Sequence, residues 1–157
     1  MKHRTCCFTG DRKLPSKKIE SIITRLNQET ENLIDQGVTD FISGAALGFD
    51  SIAASLILAK RELGFPVKLI LALPCVDHEP YFSPDQVNQY RKLSSEADEV
   101  YYVSQDYSFN CVKKRNFYMV DQSAYCLCFS TELKGNTTKT VNYARKKGLK
   151  IIDVGDK

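Results

Sequence analysis

No run of about 18 consecutive apolar residues occurs in the chain, so the sequence offers no membrane-spanning helix. The basic start Met1-Lys2-His3-Arg4 is followed by an apolar segment only as long as a strand, and a secretory signal is therefore not expected. Charge of one sign is also scarce. The formal net charge is +3 on 157 residues, too small by itself to argue for a nucleic-acid track. The two histidines, His3 and His78, lie far apart, and no Cys-x-x-Cys pair exists. No Ser-His-Asp or Cys-His arrangement can be assembled, since nothing in the sequence fixes His78 against its loop neighbour Cys75. There is no Gly-x-Gly-x-x-Gly fingerprint, and no Walker lysine follows a glycine turn. Those absences disfavour NAD binding of the usual kind and P-loop hydrolysis. The expectations are a cytoplasmic chain with no membrane association, no metal and no required cofactor, with nucleic acid disfavoured as a partner.

The composition is 43% apolar and 26% charged, ordinary for a globular domain, and residues 1–157 read as one domain around one core. The six cysteines fit free thiols in a reducing compartment. Cys6, Cys7, Cys126 and Cys128 fall in expected buried strands, and Cys75 and Cys111 in expected loops. Cys126 and Cys128 are expected on opposite sheet faces, which argues against zinc.

Strand-like and helix-like stretches alternate. Strands are expected at 5–8, 40–43, 67–73, 99–103, 125–129 and 150–154. The continuous apolar run at 67–73 is typical of a parallel sheet buried on both faces. A first helix starts near Leu14-Pro15-Ser16, carries Ile19, Ile22, Ile23, Leu26, Leu33 and Ile34 at helical spacing, and stops at Gly37. Further helices are expected at 50–63, 85–97, within 110–123, and at 137–147. This pattern defines an α/β class with a doubly wound parallel sheet of about six strands and helices on both faces. The proline-bearing stretch 74–84 is long enough to serve as a lid. The aromatics Tyr101, Tyr102, Tyr107, Phe109, Phe117 and Tyr118 are expected mostly in the core, while Tyr81 and Phe82 in the long loop are candidates for stacking on a base.

Three glycine turns end expected strands and precede expected helices. In a parallel sheet such turns gather on one edge, where helix N-termini present free N–H groups and positive dipole. In the first, Thr9 offers a hydroxyl, Gly10 a close backbone approach and Arg12 a fork for phosphate. In the second, Ser43, Gly44 and Gly48 bracket small residues before a helix, and Asp50 either accepts from ribose hydroxyls or caps the helix. In the third, Gly135, Asn136, Thr137 and Thr138 suit a phosphate or an ordinary N-cap. One member of Lys113-Lys114-Arg115-Asn116 turned inward would add a fixed positive charge.

Taken in order, Phe8-Thr9-Gly10-Asp11-Arg12, Ser43-Gly44-Ala45-Ala46-Leu47-Gly48-Phe49-Asp50, Leu73-Pro74-Cys75, Arg115-Asn116 with Met119 to Ser123, and Gly135-Asn136-Thr137 with Val141 to Ala144 resemble the YpsA-like branch of the SLOG superfamily. That superfamily also holds the Lonely Guy phosphoribohydrolases and the DNA-processing protein A fold. The resemblance covers nearly the whole chain. It implies a Rossmann-like sheet with residues 5–8 central and 99–103 at an edge, and glycine turns that bind nucleotides or nucleotide-derived ligands. It also places Arg115 beside the third glycine turn, where the phosphoribohydrolases use an arginine at the substrate. Related sequences often carry His at Asp11, an acid at Tyr125 and Gly at Asn136. The phosphoribohydrolases carry a catalytic glutamate in the helix after the third turn, whereas Thr138-Lys139-Thr140-Val141-Asn142 contains no acid.

The leading expectation is a sensing or regulatory module binding a small nucleotide-derived ligand through Thr9, Gly10, Arg12, Ser43, Gly44, Gly48, Asp50, Arg115, Gly135, Thr137 and Thr138. The alternative is a nucleoside-monophosphate N-glycosidase with Arg115, Asp50 or Asp11 as catalytic candidates. A further alternative is single-strand DNA binding. A homodimer formed through the apolar helix around Ile52 to Leu58 is a possible assembly, and the same residues equally suit a core.

Overall fold

The computed structural model describes residues 2–76, 83–131 and 135–155. Six strands form one all-parallel sheet: β1 (Thr5–Gly10), β2 (Asp40–Ser43), β3 (Lys68–Cys75), β4 (Glu99–Ser104), β5 (Tyr125–Phe129) and β6 (Lys150–Asp153). The five α-helices are α1 (Ile19–Asp35), α2 (Phe49–Glu62), α3 (Pro84–Glu96), α4 (Cys111–Asp121) and α5 (Asn136–Lys146). Strand order is β4-β3-β2-β1-β5-β6, which makes β1 central and β4 an edge, as expected. The chain leaves β1 through α1 toward β2, and later returns over the other face through α4 to place β5 against β1. The loops after β1 and β5 therefore part company at the carboxyl edge and leave a crevice there.

Side chains alternate across the sheet with period two. Cys6, Phe8, Phe41, Leu69, Leu71, Leu73, Leu127 and Phe129 join Phe49, Ala53, Ala54 and Ile57 of α2 and Ile22, Leu26 and Leu33 of α1 in one core layer. Cys7, Ile42, Ala72, Cys126 and Cys128 meet Met119 and Val120 of α4 and Ala144 of α5 in the other. Cys126 and Cys128 thus share a face, which corrects their expected separation: two residues along a strand is one full repeat of the pleat. The assignment of Cys75 and Cys111 to loops is also corrected. Cys75 closes β3, Cys111 opens α4, and all six thiols are free and buried.

Helix α2 is taken up by the core, with Ala53, Ala54, Ile57 and Leu58 buried and Ile52 and Leu56 packed against them. The expectation of a mostly buried aromatic set fails in the second half of the chain. Tyr101, Tyr102 and Tyr107 are exposed and Phe109 is 98% exposed. Tyr101 and Tyr102 lie on β4, an edge strand with a neighbour on one side only, and Tyr107 and Phe109 lie in the loop between β4 and α4. Tyr101 is nonetheless stacked on Tyr118, with ring centroids 4.6 Å apart. Tyr81, Phe82, His78 and most of the proposed lid lie outside the described residues. Among the described residues, no helix is long and apolar enough to cross a membrane.

Candidate ligand site

A cavity of about 610 Å³ opens at the carboxyl edge of the sheet, above β1 and β5. Its wall includes Thr9, Gly10, Asp11, Arg12, Asp50, Arg115 and Thr137, together with Asn116, Thr131 and Asn136. The turn after β1 is welded to its neighbours through Asp11. The Asp11 N–H donates to the Phe129 carbonyl at 3.1 Å, and its carbonyl accepts from Phe49 N–H at 3.1 Å. Its carboxylate Oδ2 accepts from the Thr131 N–H at 2.8 Å and from the Thr131 hydroxyl at 3.0 Å. Asp11 Oδ1 is buried without a hydrogen-bond partner.

The glycines allow these segments to close on one another. A Cβ on Gly10 would lie 2.4 Å from the Phe49 side chain. Gly48 has φ +76, and a Cβ there would lie 2.3 Å from the Arg12 carbonyl oxygen. A Cβ on Gly44 would lie 2.6 Å from the Arg115 guanidinium. Between them, Ser43 Oγ donates to the Asp50 carbonyl at 2.9 Å and accepts from Ala45 N–H at 3.1 Å. Ala45 itself holds φ 57, a left-handed conformation that a non-glycine residue adopts at a cost of about 1–3 kcal/mol.

Arg115 is the inward member of its basic run, with Lys113 and Lys114 exposed. It is only 3% exposed. One guanidinium nitrogen donates to the carbonyls of Gly44 at 2.7 Å and Ala72 at 3.3 Å, and Nε donates to Asn116 Oδ1 at 2.8 Å. The arginine thus ties α4 to the ends of β2 and β3 while presenting its charge to the cavity wall. Burial lowers its pKa, and the Asp50 carboxylate opposes that shift. Asp50 is 6% exposed, and burial pushes its carboxyl up to about 6. Arg115, Arg12 and the N–H groups of Gly44 and Ala46 pull the other way. Asp50 Oδ1 is buried without a partner.

Helix α5 begins at the cavity without a side-chain cap. Its N-cap is Gly135, at φ 125, which has no side chain to accept from the first N–H groups. Helix α3 differs: Ser83 and Gln86 form a reciprocal capping box there. An uncapped N-terminus at a cavity offers N–H donors and positive dipole to an anion. Of the residues expected at the ligand, Ser43, Gly48, Gly135 and Thr138 do not line the cavity, and Gly44 lines a smaller one beside it. Sequence reasoning missed Thr131, whose partnership with Asp11 spans 120 positions and leaves no local signal. It also missed Ala46 and Val112, apolar wall residues with no chemical mark of their own.

An all-parallel sheet with glycine turns closing over a charged cavity at its switch point defines a Rossmann-like α/β protein. Residues 7–152 match the YpsA family pattern, described as the YspA SLOG family, and the chain belongs to that family. It is 28% identical over 140 residues to the SPbeta prophage-derived protein YoqJ of Bacillus subtilis, covering 82% of this chain and 76% of that protein. Two solved structures share the fold. DNA processing protein A from Helicobacter pylori, described for its single-stranded DNA binding mode, superposes with a TM-score of 0.67 at 19% identity, over 95% of this chain. DNA processing protein A from Streptococcus pneumoniae gives 0.65 at 12% identity, over 96% of this chain. This chain spans 64% and 50% of the lengths of those two structures.

Proposed function

We propose that the protein binds a small nucleotide-derived ligand in the large cavity, as a sensing or regulatory module. The observation that carries the reading is the buried, unpartnered Oδ1 of Asp50 on a wall shared with Arg12, Arg115 and the uncapped start of α5. A buried acceptor without a donor is costly, and ligand hydroxyls are the donors that would satisfy it. An anionic group fits at the α5 N-terminus, on the same cavity as the exposed Arg12. Sugar hydroxyls between the two ends would meet Asp50 and Asp11.

Calorimetric titration with AMP, ADP and cyclic AMP tests this, with chromatography of the ligand afterwards. Binding of at least one intact nucleotide, weakened by about 1–3 kcal/mol in Arg12→Ala, is the expected result. Absence of binding by all three removes the reading. Release of free base would instead favour the N-glycosidase reading. One observation favours keeping that reading alongside: a carboxyl near pKa 6 is poised to give or take a proton at neutral pH. Single-strand DNA binding enters through the likeness to the Helicobacter pylori protein. Its test is oligonucleotide affinity at rising salt, since a phosphate track loses affinity steeply as counterions compete.

A further inference from the structure

Beside the large cavity lies a second one of about 190 Å³, above the ends of β2, β3 and β4. The two share Arg12, Ala46, Val112 and Arg115, so they meet at a neck flanked by both arginines. The walls of the small cavity differ in chemistry from those of the large one. Leu47 and Tyr107 are 37% and 49% exposed, apolar groups left open to water on the wall of a concavity. Gln86 and Gln89 of α3 add side-chain amides, each able to donate and to accept. Gln86 Oε1 already accepts from Ser83 N–H at 2.7 Å, which leaves its NH₂ to donate, while exposed Gln89 keeps both functions.

We propose that the small cavity is the base subsite of the ligand, taking a planar nucleobase whose edge is read by Gln86 and Gln89. This rests on the nucleotide reading of the large cavity. The anion belongs on the large side, where α5 is uncapped. On the small side the first N–H of α4, at Cys111, is committed to the Ser108 carbonyl, and one guanidinium nitrogen of Arg115 is committed to Gly44 and Ala72. A flat ring with mixed donors and acceptors on its edge is what exposed apolar walls and free amides complement together. The ligand would then run from the start of α5, past Asp50, through the neck to α3.

The experiment is a calorimetric comparison of ribose 5-phosphate with AMP, GMP, CMP and UMP, on the wild type, Tyr107→Ala and Gln89→Ala. Both substitutions fall on exposed positions. The best nucleoside monophosphate should bind about tenfold or more tighter than ribose 5-phosphate. Tyr107→Ala should remove most of that margin while leaving ribose 5-phosphate unchanged. Gln89→Ala should alter the ranking of the four bases by about threefold or more. Equal affinity for sugar phosphate and nucleotide overturns the base subsite and leaves the large cavity's role standing. So does a uniform loss for all five ligands in both variants. Failure of all five to bind wild type overturns the nucleotide reading and the base subsite with it.

Discussion

The two faces of the sheet are packed with different materials. Under α1, α2 and α3 the filling is bulky, with Phe8, Phe41, Phe49 and Phe129 forming a chain of ring contacts. Under α4 and α5 it is small, with Cys7, Cys126, Cys128, Ala72 and Ala144 beneath Met119 and Val120. Bulky filling buries area and supplies stability. Small filling lets helices sit close to a sheet, and these are the two helices that deliver Arg115, Asn116, Asn136 and Thr137 to the cavity. They also lean on each other, with Phe117 stacked on Tyr143 at 3.9 Å between ring centroids. One face therefore holds the fold, and the other sets where Arg115, Asn116, Asn136 and Thr137 stand.

The largest effect should come from emptying the bulky face. Phe49→Ala removes a fully buried ring that also fills the space above Gly10, and should cost about 3–5 kcal/mol in urea unfolding. A loss under 1 kcal/mol would break the contrast between the faces.

Asp50, on α2, and Arg115, on α4, lie where the two faces meet. The Asp50 carboxyl is raised from 3.8 to about 6, so the folded state holds this proton more tightly than the unfolded chain does. Well below pH 3.8 both states are protonated and the group is neutral to stability. As pH rises toward 6 stability falls, by an amount on the order of 3 kcal/mol once both states are ionised. Asp50→Asn should lack this fall, so urea midpoints at pH 4 and pH 7 should diverge between variant and wild type. Parallel pH profiles would reject the assignment.

Overfilling the small face is the sharper functional probe. Cys128→Leu should cost about 1–3 kcal/mol by forcing α4 and α5 outward, and nucleotide affinity should drop with it. The smallest effect should come from Ile57→Val on the bulky face. It should cost about 0.5–1.5 kcal/mol and leave affinity unchanged. Loss of binding in Ile57→Val but not in Cys128→Leu would reverse the roles of the faces.

The order and kind of the elements were legible because short apolar-rich stretches alternate with helix-periodic ones, and α1, α2 and α5 end at glycines. Gly37, Gly64 and Gly148 all hold positive φ just past helix ends. The edge position of β4 follows from the family resemblance, but the exposure of Tyr101 and Tyr102 on it has no mark in the local sequence. The site was legible in part. Thr9, Gly10, Arg12, Asp50, Arg115 and Thr137 do converge on one cavity. What each glycine approaches was not readable, because the atoms filling the space beside Gly10, Gly44 and Gly48 come from segments distant in sequence or across a turn. The small cavity was hidden for the same reason. Leu47, Gln89 and Tyr107 lie on three segments that meet only after the strands have been ordered.

The six buried cysteines carry one more consequence. Burial pushes the Cys6 thiol well above its ordinary range, and hydrogen bonding with Cys128 and Cys7, helped by burial, does the same to Cys126, so the reactive thiolate is suppressed as well as shielded. An alkylating reagent can reach them only when the sheet opens. The chain therefore carries its own unfolding clock: labelling rate at Cys6 or Cys7 times the separation of the central strand, and labelling at Cys111 times the release of α4. Ligand that closes the carboxyl edge should slow the second clock more than the first.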